Sequence, residues 1–302
     1  MALTSYTSEL TLEQVTRLKE VLNHSGFEFG KKQHAIFSAK KGKLNVTAYE
    51  KGPKVLVQGK ETEDFVRFVL EPQVLGEARL GYEEELNPEM FEPHFGVDES
   101  GKGDYFGPLV IAGVYTNRKE ARKLMDAGIM DSKRVSSMNK INELSNSIRE
   151  IVEDKYKVVR WIPSKYNDLH DRYKNVNRML AAGHAAVIHD LSRRVPSCPR
   201  SLSDQFARRL DVLESATRKY GVIIQIDQRT KAESDIAVAA ASILARESFL
   251  DWMVKTSARC GVELPLGAGE SVKIAARKFM QVIGKERLHD VAKIHFKTTS
   301  EL

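Results

Sequence analysis

Asp98 and Glu99 are adjacent carboxylates at the end of an apolar run, within the stretch HFGVDESGKGDYFGPLVIAGVY at residues 94–115. A glycine-rich turn follows, Ser100-Gly101-Lys102-Gly103-Asp104, and Gly107-Pro108 leads into a second apolar run, Leu109 to Val114. Both runs are short and rich in Val, Ile and Phe, which predicts strand–turn–strand. Successive side chains on a strand point to opposite faces, so the two carboxylates cannot both serve one core. At least one must point where charge is tolerated.

The turn is open to three chemistries. Asp, Glu, Gly and Lys are ordinary residues for a solvated hairpin end. A phosphate-binding glycine loop would need a third glycine or GxxxxGK[ST] spacing, and Gly101-Lys102-Gly103 has neither. A metal-dependent phosphodiester site would use carboxylates to hold the cation, with flexible backbone beside them approaching a sugar–phosphate chain. That reading requires further carboxylates at the ends of other elements.

Such acids recur. Asp204 closes a short strand over Ser201–Ser203, and Glu233 lies in Thr230-Lys231-Ala232-Glu233-Ser234, where a long helix begins. Ligands of an open α/β sheet gather outside the strand ends, so positions this far apart in sequence can converge. Asp227 and Asp235 compete with them as decoys. Four carboxylates brought together would not all ionise unaided, whereas two divalent cations remove that cost and supply hydrolytic chemistry. A donor set of oxygens without Cys or His favours Mg2+ or Mn2+ over zinc. No G-x-S-x-G, H-E-x-x-H, DFG or HRD motif offers another mechanism.

The elements that must position these acids fall into two groups. Residues 1 to about 90 read as a small α+β unit. A capping box, Thr11-Leu12-Glu13-Gln14, opens a helix with Leu12, Val15, Leu18 and Leu22 on one face. Strand-like runs follow at Ala35–Ser38, Leu44–Tyr49 and Lys54–Gln58, then a second helix over Glu61–Leu70 with Phe65, Phe68 and Val69 inward. Lys31 to Lys60 holds eight lysines against one acid, Glu50, which suits either a solvated face or a phosphate-tracking surface. Gly76, Gly81, Pro88, Pro93 and the cluster Glu83-Glu84-Glu85 read as a linker. The organisation expected is 1–75, a linker over 76–93, and a second domain over 94–302.

In that second domain, helices are expected at Arg118–Ala127, Ser137–Asp154, Val176 to about Arg193, Asp211–Tyr220, Asp235 to about Ser257 and Ser271–Ile283. Strands are expected at Lys157–Trp161 and Val222–Ile226, and Asp131-Ser132-Lys133 falls in a loop. Their alternation predicts an α/β domain with helices covering a mixed sheet. His184 shares the apolar face of its helix and reads as a packed core histidine.

Composition bounds the classes. At 302 residues, 42% hydrophobic and 29% charged, the chain is ordinary globular material, and no stretch is apolar enough to span a membrane. Two distant cysteines, Cys198 and Cys260, argue against a zinc or disulfide framework and fit a reducing compartment. The N-terminus has no basic-then-apolar leader, so a cytoplasmic location is expected. A net charge of +6 biases the chain toward anionic partners.

Taken together, VDESGKGDYFGPLV, the DSK at 131–133, SDQF at 203–206 and TKAES-x-x-AVAAASILAR at 230–246 resemble the type 2 ribonuclease H family, most closely its HIII branch. The resemblance covers roughly residues 94 to 295. It implies an RNase H-like fold with a four-carboxylate, two-metal site (Mg2+ or Mn2+) that cleaves the RNA strand of RNA/DNA hybrids, leaving 3′-hydroxyl and 5′-phosphate ends. The metal ligands it implies are Asp98, Glu99, Asp204 and Glu233; HII enzymes usually have Asp at the last position. It further implies that the turn Ser100, Gly101, Lys102 and Gly103 reads the 2′-hydroxyls that tell RNA from DNA, with Lys102 and Lys133 facing phosphates. The HIII branch carries an N-terminal domain resembling half of a TATA-binding-protein fold. That makes Lys40, Lys41, Lys43 and Lys54 candidates for gripping the hybrid. HII enzymes use a C-terminal tyrosine at an RNA–DNA junction, and no tyrosine follows Tyr220 here. Weak cleavage at a lone ribonucleotide is therefore expected. An HII-like repair enzyme and an inactive hybrid-binding module are the alternatives, and a monomer is expected.

Overall fold

In the computed structural model of the protein, residues 3–76, 87–129, 137–207, 211–230 and 232–302 are described. The DSK segment with Lys133 lies outside them. The chain divides into two compact units, Met1–Pro88 and Glu89–Leu302.

The first unit is α+β. Its five strands are β1 (Ser5–Glu9), β2 (Glu28–Gly30), β3 (Ala35–Lys41), β4 (Leu44–Tyr49) and β5 (Lys54–Gln58). They pair antiparallel in the order β1-β5-β4-β3-β2. Helix α1 (Leu12–His24) starts as the capping box dictates: the Thr11 hydroxyl accepts the Gln14 N–H at 3.1 Å, and the Gln14 side chain accepts the Thr11 N–H at 2.8 Å. Val15, Leu18 and Leu22 are buried as expected, but Leu12 is 71% exposed, because the first helical residue overhangs the core. The second helix departs from the expected period. Four α-helical residues, α2 (Thr62–Phe65), continue as a wider π-type helix, Val66–Leu75. The wider turn moves the buried positions to Val66, Leu70 and Val74 and turns Phe68 outward, 61% exposed.

A 3-10 turn, Pro88–Phe91, spans the boundary, and its Met90 and Phe91 join the second unit's apolar core. The sheet is mixed, in the order β10-β9-β6-β7-β8. Its strands are β6 (His94–Ser100), β7 (Leu109–Thr116), β8 (Tyr156–Trp161), β9 (Arg200–Asp204) and β10 (Gln225–Arg229). β6 runs antiparallel to β7 and parallel to β9, and β9 runs parallel to β10. Among the described residues, the unit's α-helices are α3 (Arg118–Asp126), α4 (Met138–Val152), α5 (Pro163–Tyr173), α6 (Val176–Arg194), α7 (Asp211–Lys219), α8 (Ile236–Cys260), α9 (Glu270–Val282) and α10 (Lys297–Ser300).

Two apolar layers fix the faces of this sheet. Phe95 and Val97 of β6 pack with Met179, Leu180 and Val187 of α6. On the other side α8, with Ala237 to Ala245 all buried, crosses β6 and β7. Gly96 permits that crossing, since a Cβ there would lie 2.2 Å from the Ala237 carbonyl carbon. The last strand is displaced from its expected place. Val222–Ile226 is the apolar run, yet β10 spans Gln225–Arg229 and Ile223 is 96% exposed. β10 is an edge strand, so parallel pairing with Arg200–Asp204, rather than its own hydrophobicity, sets where it begins.

Candidate active site

The parallel register brings the first two acids together. Val97 of β6 pairs with Ser203 of β9, so one residue further on Asp98 stands beside Asp204, on strands about 4.8 Å apart. Leu202, two residues before Asp204, packs with Ala232 and Val238, and Gly96, two before Asp98, lies under Ala237. Both acids therefore emerge on the α8 side of the sheet. Glu233 joins them from the 3-10 turn Ala232–Ser234 that precedes α8. The turn is tied in place, since the Ala232 N–H donates to Asp204 Oδ1 at 3.3 Å.

Glu99 is on the opposite face, as the alternation requires. Its side chain is 11% exposed and directed at α6, where the His184 Nε2–H donates to Glu99 Oε2 at 3.1 Å. Lys102 Nζ stands 3.5 Å from Glu99 Oε1. Burial works to raise the Glu99 carboxyl, but the hydrogen bond and field of His184 and the Lys102 ammonium outweigh it and hold Glu99 below the ordinary carboxylate range. Phe206 of the SDQF segment links these groups: its ring lies 4.9 Å from the His184 ring, and Lys102 Nζ sits 5.9 Å above it. His184 is thus fully buried yet bonded to a candidate site residue, which corrects its reading as plain core.

The two decoys have structural uses. Asp235 is buried at the N-cap of α8, accepting the N–H groups of Ala237 and Val238 and bonding His94 Nε2 at 3.0 Å. Asp227 lies within β10 beside Arg200 Nη1, at 3.4 Å.

The glycine turn separates into two roles. Gly101 adopts φ +87°, and a Cβ on it would lie 2.2 Å from the Pro108 carbonyl oxygen, so the fold itself demands glycine. Gly103 is exposed, and a Cβ there would meet nothing within 4 Å. The far side of the turn is clamped. Lys293, fully buried, donates to the carbonyls of Asp104 at 2.8 Å, Phe106 at 3.4 Å and Gly107 at 2.7 Å. Asp104 Oδ1 in turn accepts the Gly267 N–H at 2.6 Å. Neither Lys293 nor His184 is marked by any local motif.

Beyond Phe206, a cleft of about 820 Å³ opens between α6, α7 and the end of α5, with Arg172, Arg178, Lys219 and Tyr173 on its walls and Ala181 and Ala207 in its lining. On the first unit's sheet, Lys40 and Lys54 share the face away from the core with Asn45, Gln58, Leu56 and a buried Thr47, with Lys54 3.7 Å from Glu9, whereas Lys41 points the other way. The Lys41 ammonium donates to the Ser25 carbonyl at 2.7 Å, and Lys43 sits exposed at the β3–β4 turn. The strand period, which alternates Lys40 and Lys41 across the sheet, decides this split.

The donor chemistry fits hard divalent cations: Asp98 and Glu99 lie near the C-terminal end of β6, Asp204 ends β9 and Glu233 lies in the turn before α8, while the two cysteines, Cys198 and Cys260, lie outside these segments. Among the described residues, no three His, Cys, Asp or Glu side chains are grouped so as to hold one ion.

Comparison with known proteins agrees with this architecture. Residues 95–299 match the family model "Ribonuclease HII", and residues 6–74 match a domain of unknown function, DUF3378. The ribonuclease HIII of Chlamydia abortus is 42% identical over 286 residues, covering 94% of this chain and 93% of its own. That of Protochlamydia amoebophila is 38% identical, covering 98% and 96%. The crystal structure of Bst-RNase HIII in complex with Mn2+ superposes with a TM-score of 0.67 at 27% identity, covering 99% of this chain and 97% of that one. An RNase H-type endoribonuclease by kinship, the chain belongs to the ribonuclease HIII family.

Proposed function

We propose that the protein hydrolyses the RNA strand of RNA/DNA hybrids, with two Mg2+ or Mn2+ ions held by Asp98, Glu99, Asp204 and Glu233. The observation that carries this reading is that Asp98 and Asp204 each follow the Val97–Ser203 pair on adjacent parallel strands, with the Glu233 turn hydrogen-bonded onto Asp204. When bound, such ions activate the attacking water and stabilise the departing 3′-oxygen, which gives 3′-hydroxyl and 5′-phosphate ends.

The chain's own residues select and orient the substrate. Gly101 shapes the turn, and the open space over Gly103 lets main-chain groups approach a ribose 2′-hydroxyl, the group that separates RNA from DNA. Lys102 offsets negative charge beside Glu99 and is close enough to the site to meet a phosphate. The cleft with Arg172, Arg178 and Lys219 continues the basic surface past Phe206 and suits the strand beyond the cut. Residues 1–75 act as a substrate-gripping domain. Lys40 and Lys54 border a sheet face that also carries Asn45 and Gln58, side chains suited to tracking a backbone. The Bst-RNase HIII structure was obtained with Mn2+, which favours the metal assignment.

The test is cleavage of an end-labelled hybrid with and without Mg2+, with the products' ends identified by phosphatase and kinase treatment. Metal-independent cleavage, or 3′-phosphate products, would rule the mechanism out.

A further inference from the structure

Glu99 poses a problem that its strand does not solve. It faces the α6 layer, where its neighbours two and four residues back, Val97 and Phe95, are buried apolar side chains. A fold needs no carboxylate there, and burying one is costly without a dedicated partner. The partner present is His184, fully buried on the middle of α6. Its approach is enabled by Gly183, where a Cβ would lie 2.6 Å from Ile111 Cδ1 and 2.9 Å from the Trp161 ring. Without that glycine the helix could not press so close to β7 and β8.

Among the described residues, the His184 ring has one polar partner. Nε2 bonds Glu99 Oε2 at 3.1 Å, Nδ1 is buried without a hydrogen-bond partner among the described residues, and the ring packs against Phe206 at 4.9 Å. The ring therefore secures one oxygen of Glu99 and leaves Oε1 on the side of Lys102. Because Asp98, Asp204 and Glu233 approach from the α8 side, Glu99 can share a site with them only if its carboxylate is held at the strand end in one orientation.

We infer that His184 is a positioning residue for metal binding, which holds one oxygen of the Glu99 carboxylate and so fixes the orientation in which Glu99 would meet a cation. This rests on the two-metal reading above. Partners that orient a ligand in this way are typically worth about 10–100-fold in metal affinity or activity.

The experiment is Mn2+ binding by the full chain without nucleic acid, followed by electron paramagnetic resonance and calorimetry, for wild type, His184→Leu, His184→Gln and His184→Asn. The Gln amide can place an N–H where Nε2 stands, whereas Leu has no donor and Asn lacks the reach. The expected result is a Mn2+ affinity weakened about ten-fold or more in His184→Leu and His184→Asn, with near-normal affinity in His184→Gln and hybrid binding unchanged in all three. Should Leu not fold, Asn carries the same comparison. Equal Mn2+ affinity in all folded variants, or equal weakening in Gln and Asn, would overturn the inference while leaving the two-metal reading in place. No Mn2+ binding by the wild type would overturn the two-metal reading itself.

Discussion

Asp98 and Asp204 occupy matching positions on neighbouring parallel strands, one step past the Val97–Ser203 pair, and their carboxylates emerge on the same side of the sheet. Two like charges this close are unfavourable unless a cation or proton lies between them. The fold holds them together nonetheless, because the backbone pairing of β6 with β9 leaves no other register.

Asp98→Asn removes the charge and keeps the shape. Turnover should fall by at least about a thousand-fold, on the scale of losing a group that acts in the transition state, while hybrid affinity stays within about two-fold. Single-turnover kinetics and a binding titration on the same preparation check this. Loss of binding together with turnover would identify Asp98 as structural.

The glycine turn allows a paired prediction. Gly101→Ala forces a positive-φ alanine against the Pro108 carbonyl and should destabilise the protein by at least about 1–3 kcal/mol. Gly103→Ala meets no neighbour in the chain, so its melting temperature should match wild type while hybrid cleavage drops. Thermal unfolding and cleavage rates together separate the two. Full activity in Gly103→Ala would mean that nothing approaches that backbone.

Lys293 predicts a pH effect on stability. Burial lowers its amine to about 7. With the folded value depressed, the unfolded chain holds the proton more firmly at intermediate pH. The associated stability is complete above the ordinary lysine range and is lost as pH falls toward about 7. The melting temperature of wild type should therefore rise relative to Lys293→Met as pH is taken from about 7 to about 10. Parallel profiles would show that the three carbonyls keep the ammonium in the folded protein throughout.

The cleft beyond Phe206 should act through charge. Replacing Arg172, Arg178 or Lys219 singly with Ala should weaken hybrid binding and reduce the slope of log affinity against log salt by about 1 for each phosphate that is no longer neutralised. An unchanged slope for all three would place the substrate elsewhere.

Much of the fold and site is legible in the amino-acid order, and the exceptions have physical reasons. The Thr11 capping box, the β6–turn–β7 hairpin and the turn at Glu233 rest on local chemistry, and local chemistry is readable. β1 escapes such a reading because SYTSE carries no apolar alternation: as an edge strand it is held by its pairing with β5. β10 begins later than its apolar run suggests, because such a run beside an edge strand need not enter it. Phe68 turns outward because π-type turns change the helical period. His184 cannot be told from core by sequence, since a buried histidine on an apolar helix face looks the same until a residue 85 positions away is found against it.

The central claim is best tested by cleavage of two labelled duplexes with Mg2+: a continuous RNA/DNA hybrid, and DNA containing a single ribonucleotide. Cutting of the hybrid, with little cutting at the lone ribonucleotide, is the predicted result. Efficient cutting at the lone ribonucleotide would instead point to an HII-like repair enzyme. Intact hybrid binding with no cutting of either duplex would contradict the claim outright and leave a binding module.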